Sequence, residues 1–215
     1  MAFVITDVTT IAILATILIV VYIAGTYWKH RTLTSYAHWF QDNLSKHGKV
    51  QFASHGHAGL RVRCETGKNR PLSELHFALS LGARENLLYY ALAPFTRDFD
   101  RIDCWAVLHK PIGTNLRILK QYDRKGISNA EKSPNLTLVE SDVLRKLGYL
   151  IFASNSASAL GAVSKASMPT RLGTATDIET IEVDRTSSKL HVVARLKRRT
   201  LPQVLNFIFD LGNSL

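Results

Sequence analysis

The apolar pattern of the chain is that of an α+β protein: a single N-terminal transmembrane helix, then a cytosolic domain of mostly antiparallel strands with packed helices. Three observations point there. Twenty-one residues from Val8 to Trp28 carry no charge. Several later runs, among them Leu60 to Glu65 and Leu190 to Lys197, alternate apolar and polar side chains with the period of two that half-buried strands require. Between and after them, apolar residues recur at steps of three and four, as in Leu33, Tyr36, Phe40 and Leu44, which is the spacing of a helix face.

The first segment is long enough, at about 1.5 Å per residue, to cross a hydrocarbon core of about 30 Å. A secretory signal would open with basic residues and a shorter apolar core, whereas only Asp7 is charged ahead of this run. Lys29, His30 and Arg31 follow at once, and basic residues beside a span stay on the cytoplasmic side. Residues 1–7 are therefore expected outside, 8–28 in the bilayer and the remainder in the cytosol, as a single-pass protein of the endoplasmic reticulum or plasma membrane. Tyr27, Trp28, Lys29 and Arg31 are the expected membrane-interface set, since aromatic rings and basic side chains both favour the headgroup layer. Residues 29–48 read as a juxtamembrane amphipathic helix stopped at Gly48, and 49–215 as the cytosolic domain.

Within that domain, Leu60, Val62 and Cys64 alternate with Arg61, Arg63 and Glu65, and Leu75, Phe77, Leu79 and Leu81 alternate with Glu74, His76, Ala78 and Ser80. The Gly67-Lys-Asn-Arg-Pro71 connection makes the two an antiparallel hairpin. Leu87, Leu88, Ala91 and Leu92, closed by Pro94, predict a helix of two to three turns. Ile102 to Leu108 is a strand, expected to turn at Pro111-Ile-Gly-Thr114 and pair with Leu116-Arg-Ile-Leu119. The polar stretch 121–136 reads as a loop between halves. Beyond it come a strand near Tyr149 to Phe152, a small-residue helix from about Ser156 to Ala166, strands at 178–184 and 189–196, and a closing helix with Pro202 in its first turn.

Few residues suggest chemistry. His55 and His57 are two apart, as ligands on one strand face would be, but no third ligand accompanies them. Cys64 and Cys104 both fall at inward strand positions, where a thiol acts as a small hydrophobe. Neither a disulfide framework nor a zinc spacing is present, and G-x-S-x-G, P-loop, H-E-x-x-H and G-x-G-x-x-G motifs are absent. No catalytic residue, metal or cofactor is therefore expected. The charge is the unusual feature: 27 Lys and Arg against 17 Asp and Glu, a formal net charge of +10. Arg61, Arg63, Lys68 and Arg70 form one cluster, and Arg195, Lys197, Arg198 and Arg199 a second. Such clusters meet RNA phosphates or anionic lipid headgroups, or are simply a solvated surface.

From Ala37-His-Trp-Phe40, through Gly59-Leu-Arg-Val-Arg-Cys64, Arg84-Glu-Asn-Leu-Leu88, Pro94 and the strand Ile102 to Leu108, to Ile178-Glu-Thr-Ile-Glu-Val183 and the helix Leu201 to Leu211, the chain resembles the calumin family, also called coiled-coil domain-containing protein 47. Members have one span, a cytosolic α+β domain and a charged coiled-coil tail. The family's acidic luminal segment has no counterpart before Asp7, so calcium is not implied, and its coiled coil has none up to Leu215. The resemblance implies a ribosome- and translocon-associated factor, chaperone-like in helping multipass membrane proteins insert or fold. Ribosomal RNA, the Sec translocon with other insertase subunits, and nascent membrane proteins are then the partners, with the eight clustered basic residues as phosphate contacts. The alternative is a membrane-anchored adaptor that binds anionic lipid headgroups without touching the ribosome.

Overall fold

The computed structural model describes residues 7–54, 59–67, 72–82, 100–109, 113–174, 177–197, 199 and 201–214. It begins with α1 (Asp7–Leu44), one unbroken helix of 38 residues. The expected division at residue 29 is not a break, because Lys29 to Leu44 contains no Pro or Gly to interrupt the hydrogen-bond ladder. Among the described residues, α1 is the one helix long and apolar enough to cross a membrane. Its large side chains from Ile11 to Trp28 are exposed. Further along, a stripe of Tyr36, Phe40 and Leu44 is buried against the domain. The helix thus changes environment along its length without changing direction.

Nine strands follow in one antiparallel sheet: β1 (Gly48–Ser54), β2 (Gly59–Thr66), β3 (Leu72–Ser80), β4 (Arg101–Leu108), β5 (Leu116–Lys120), β6 (Thr137–Val139), β7 (Tyr149–Ala153), β8 (Ile178–Asp184) and β9 (Lys189–Arg195). Their spatial order is β1-β2-β3-β4-β9-β8-β5-β7-β6. The hairpin of β2 and β3 has the register its alternation implies, with Cys64 opposite Leu75 and Val62 opposite Phe77. The expected pairing of β4 with β5 does not occur. β4 lies between β3 and β9, and β5 between β8 and β7. β5 buries Leu116 and Ile118 on one face and Leu119 on the other, which suits an interior position, and β9 offers β4 a longer run of matching alternation. β1 was not anticipated, because only Val50 and Phe52 mark its apolar side. It pairs along its whole length with β2, and Gly48 is required there because a Cβ would strike the Glu65 carbonyl oxygen.

Among the described residues, five further helices are α2 (Arg124–Glu131), α3 (Asp142–Lys146), α4 (Ser156–Lys165), α5 (Met168–Thr174) and α6 (Leu201–Ser214). α2 occupies part of the stretch expected to be loop. Its start is fixed by Asp123, whose carboxylate accepts the Gly126 N–H at 3.0 Å. Asn155 caps α4 in the same way, from the Ser158 N–H at 3.0 Å. Gly148, at φ 81°, takes the left-handed conformation that ends α3 and turns the chain into β7. The helix expected near residues 84–93 lies outside the described residues.

The main core sits on one face of the sheet. The end of α1 with Phe40 on Phe77, α6 with Leu201, Val204, Ile208 and Leu211, and α4 and α5 with Ala159, Val163 and Leu172 cover Val62, Cys64, Leu75, Ile102, Ile181 and Val192. His47 stacks on Phe209 at 4.3 Å, joining the end of α1 to α6. A second, small cluster of Leu119, Phe152 and Ala130 lies on the opposite side of the sheet, where α2 covers β5 and β7. Helices therefore flank both faces at that end. Over β2, β3, β4, β9 and β8 no described helix covers the second face, which is called the open face below.

Candidate functional site

Strand alternation alone decides what the open face displays. With Cys64, Phe77, Cys104 and Val192 turned to the core, the opposite set must face away: Arg61 and Arg63 on β2, Glu74 and His76 on β3, Asp103 and Trp105 on β4, Lys189 and His191 on β9. The ladder register lines several of these up in one row across the sheet, running Gln51, Arg63, His76, Trp105, His191, Glu182, Arg117. Opposed side chains of this kind touch across strands.

Two charge networks result. In the first, Arg101 donates to Asp103 Oδ1 at 2.7 Å, His191 Nε2 lies 3.2 Å from the same oxygen, His191 Nδ1 is 3.8 Å from Glu182 Oε2, and Arg117 Nε donates to Glu182 Oε1 at 2.9 Å. Burial pushes the Asp103 carboxyl up, but its bonds from His191 and Arg101 outweigh this and hold it below the usual carboxylate range. Burial likewise pushes His191 down, and Asp103 and Glu182 more than reverse it, so the imidazole holds its proton above its ordinary pKa. The bond from His191 holds Glu182 low. In the second network Arg63 binds Glu74 and reaches Glu65 at 3.3 Å, while His76 Nε2 is 3.2 Å from Glu74 Oε2.

Between the networks stands Trp105, 37% exposed. Its indole is parallel to the His191 ring, with centroids 4.9 Å apart. Trp105 also lines a cavity of about 660 Å³ on the open face, together with Arg61, Arg63, His76, Ala78 and Lys189. Among the described residues, Arg61 and Lys189 are exposed and have no ion pair.

The sequence-predicted basic residues therefore divide. Arg61 and Arg63 reach the open face, but Arg63 is spent on Glu65 and Glu74. Arg195 sits on the same face near β8, where it donates to Glu179 Oε1 at 2.7 Å and to the Tyr122 hydroxyl at 3.3 Å. Burial and the bond to Glu179 push the Tyr122 phenol up to about 12, so it stays a donor. Lys197 pairs with Asp177 Oδ1 at 2.6 Å. Arg199 is exposed. Lys68, Arg70, Arg198, His55 and His57 lie outside the described residues. Of the interface set, Tyr27 is 68% and Trp28 55% exposed and Arg31 is exposed, whereas Lys29 is 3% exposed, on the buried stripe of α1. Cys64 and Cys104 are buried, and burial pushes both thiols up, away from nucleophilic character.

Sequence reading did not single out Trp105, His191 or Lys189. The signal was present: Trp105 occupies an outward position in the alternation of Ile102, Cys104, Ala106 and Leu108, where a polar residue is expected. Among the described residues no group of three or more His, Cys, Asp or Glu could hold a metal ion. No protein-family model and no curated protein matches this chain.

Proposed function

We propose that this is a membrane-anchored, non-enzymatic docking protein whose sheet domain stands on the cytosolic side and engages ribosomal RNA where nascent membrane proteins emerge. The observation that carries the reading is the division of α1: exposed apolar residues from Ile11 to Trp28, then a face buried on the domain from Tyr36 to Leu44, in one rigid rod. Such a rod holds the domain at the bilayer surface, where a ribosome engaged on a membrane presents its RNA. The net charge of +10 favours a polyanion, and counterion release makes that attraction sensitive to salt. The resemblance to the calumin family supports the further step, contact with the Sec translocon and insertase subunits in aid of multipass clients.

The test is cosedimentation of the full chain, in detergent, with ribosomes. Arg61→Glu and raised salt should each weaken it. Arg61 is chosen over Arg63 because the latter already holds two carboxylates. Cosedimentation unchanged in both trials refutes RNA docking, and protection of residues 29–215 from protease on the cytosolic side refutes the topology.

A second reading has its own support: Arg31 is exposed on α1 within one turn of the end of the uncharged segment at Trp28. It would gain about 1 kcal/mol beside anionic headgroups. Binding of residues 29–215 to anionic vesicles, without ribosome binding, favours this lipid-directed adaptor.

A further inference from the structure

We infer that the open face of the sheet is a platform for single-stranded RNA, in which one base stacks on Trp105 inside the cavity that this ring lines together with Arg63 and His76. The inference deepens the RNA reading above and rests on it.

The geometry is a slot with one wall already built. Trp105 and His191 oppose each other across β4 and β9, and their rings are parallel within 1°. The indole, 37% exposed, also lines the cavity, whose other walls come from β1, β2 and β3, from Asp103 and Val107 of β4 and from Lys189 of β9. A flat ring entering there extends the stack from two members to three. Bases suit such a surface because every base has a π face, and an indole 37% exposed at a strand position that should be polar is otherwise a cost in hydration.

Charge places the backbone. Arg61 and Lys189, cations of the open face with no ion pair among the described residues, flank Trp105 on opposite sides along the strands. Arg61 is in the Asp103 row and Lys189 in the Val107 row, one on either side of the Trp105 row. With strands about 4.8 Å apart and a rise of about 3.4 Å per residue, their Cα atoms are separated by roughly 20 Å. A single strand crossing diagonally would meet one cation on each side of the stacked base. The acidic residues of the cavity do not oppose this strongly, since Glu74 is held by Arg63 and Asp103 by Arg101 and His191. A duplex cannot place a base in the slot without unpairing it, so the platform distinguishes single from double strands.

The experiment uses the full chain in detergent and fluorescein-labelled ten-nucleotide RNAs, read by anisotropy and by quenching of tryptophan fluorescence. Single-stranded RNA should bind tighter than a duplex of equal length. Trp105→Ala should weaken the single strand about tenfold, within the range for losing one stacked base. Trp105→Phe, which keeps a flat ring, should retain affinity within about threefold, and this separates stacking from misfolding. Arg61→Glu should weaken all sequences alike and lower the salt slope by about 1. Equal binding by wild type and Trp105→Ala, equal binding of single and double strands, or saturation by AMP at the same concentration as the oligonucleotide would each overturn the inference. Ribosome cosedimentation run alongside separates the two proposals. If wild type and Trp105→Ala cosediment equally, the stacking platform fails and ribosome docking stands; if wild type does not cosediment, docking itself fails.

Discussion

Replacing Phe40 with alanine tests whether the anchor and the sheet form one body. The ring is 1% exposed, with its centroid 4.9 Å from Phe77 on β3 and 5.1 Å from Trp39. Its removal takes away the transfer energy of a buried benzyl group and opens a cavity between α1 and the sheet, a combined loss of about 3–5 kcal/mol. For a chain of this size each kcal/mol lowers Tm by about 2–4 °C, so the fall should be about 6–20 °C. Thermal unfolding in detergent, followed by near-ultraviolet circular dichroism, measures it. Gln41→Ala, at an exposed position on the same helix, should leave Tm within about 2 °C. Phe40→Leu should cost under half as much as Phe40→Ala. A drop below about 3 °C for Phe40→Ala would mean that α1 does not pack on the sheet, and the rigid link between span and domain would fall with it.

Gly48→Ala should destabilise by about 1–3 kcal/mol, because its Cβ meets the Glu65 backbone rather than a side chain that can swing away, while Gly67→Ala, with open space around it, serves as the control in the same urea titration. The His191 network should make stability depend on pH in two opposite ways. His191 has a raised folded-state pKa, so its contribution is complete below the unfolded value near 6.5 and is lost as pH rises through the folded value. Asp103 and Glu182 have lowered ones, so theirs is present above their unfolded values near 4 and is lost as pH falls. The Tm gap between wild type and His191→Gln should thus be widest at about pH 5–6 and narrow on the alkaline side; a gap that is flat from pH 5 to 9 would refute the assignment. Removing residues 1–23 should abolish membrane partition yet shift Tm by less than about 3 °C, since the buried apolar core begins at Tyr36.

Period and stripe made much of this architecture readable. β2, β3 and β9 each carry at least three alternating apolar residues, and each lies where that alternation puts it. β1 escaped because an edge strand with one face turned to solvent needs few apolar side chains, and Gln51 and Lys49 hide the rhythm. α2 escaped because its apolar contribution is small: Ala130 and Ile127 suffice to cover Leu119 and Phe152. Local sequence could not decide which strand neighbours which. β4 and β5 are close in the chain and joined by a turn-like segment, yet each finds its partners elsewhere, a choice made by burial on both faces of β5 and not by the connection. The basic clusters show the same limit from another side. Charge is countable from the sequence, whereas the neutralisation of Arg63, Arg195 and Lys197 depends on carboxylates brought close by the ladder or by the start of β8.

The unbroken α1 makes the azimuth of the domain a property of helix phase. Each residue of a helix turns the chain by about 100° and advances it by about 1.5 Å. Adding two alanines between Trp28 and Tyr36 would swing the sheet's open face by about 200° around the α1 axis relative to residues 8–28, while seven would restore its heading to within about 20° and move it by about 10 Å along that axis. Whatever engages that face from a fixed site on the membrane would lose it in the first case and find it again, displaced outward, in the second. On the proposed anchoring, the helix is therefore also a compass, setting which way the domain looks as well as where it stands.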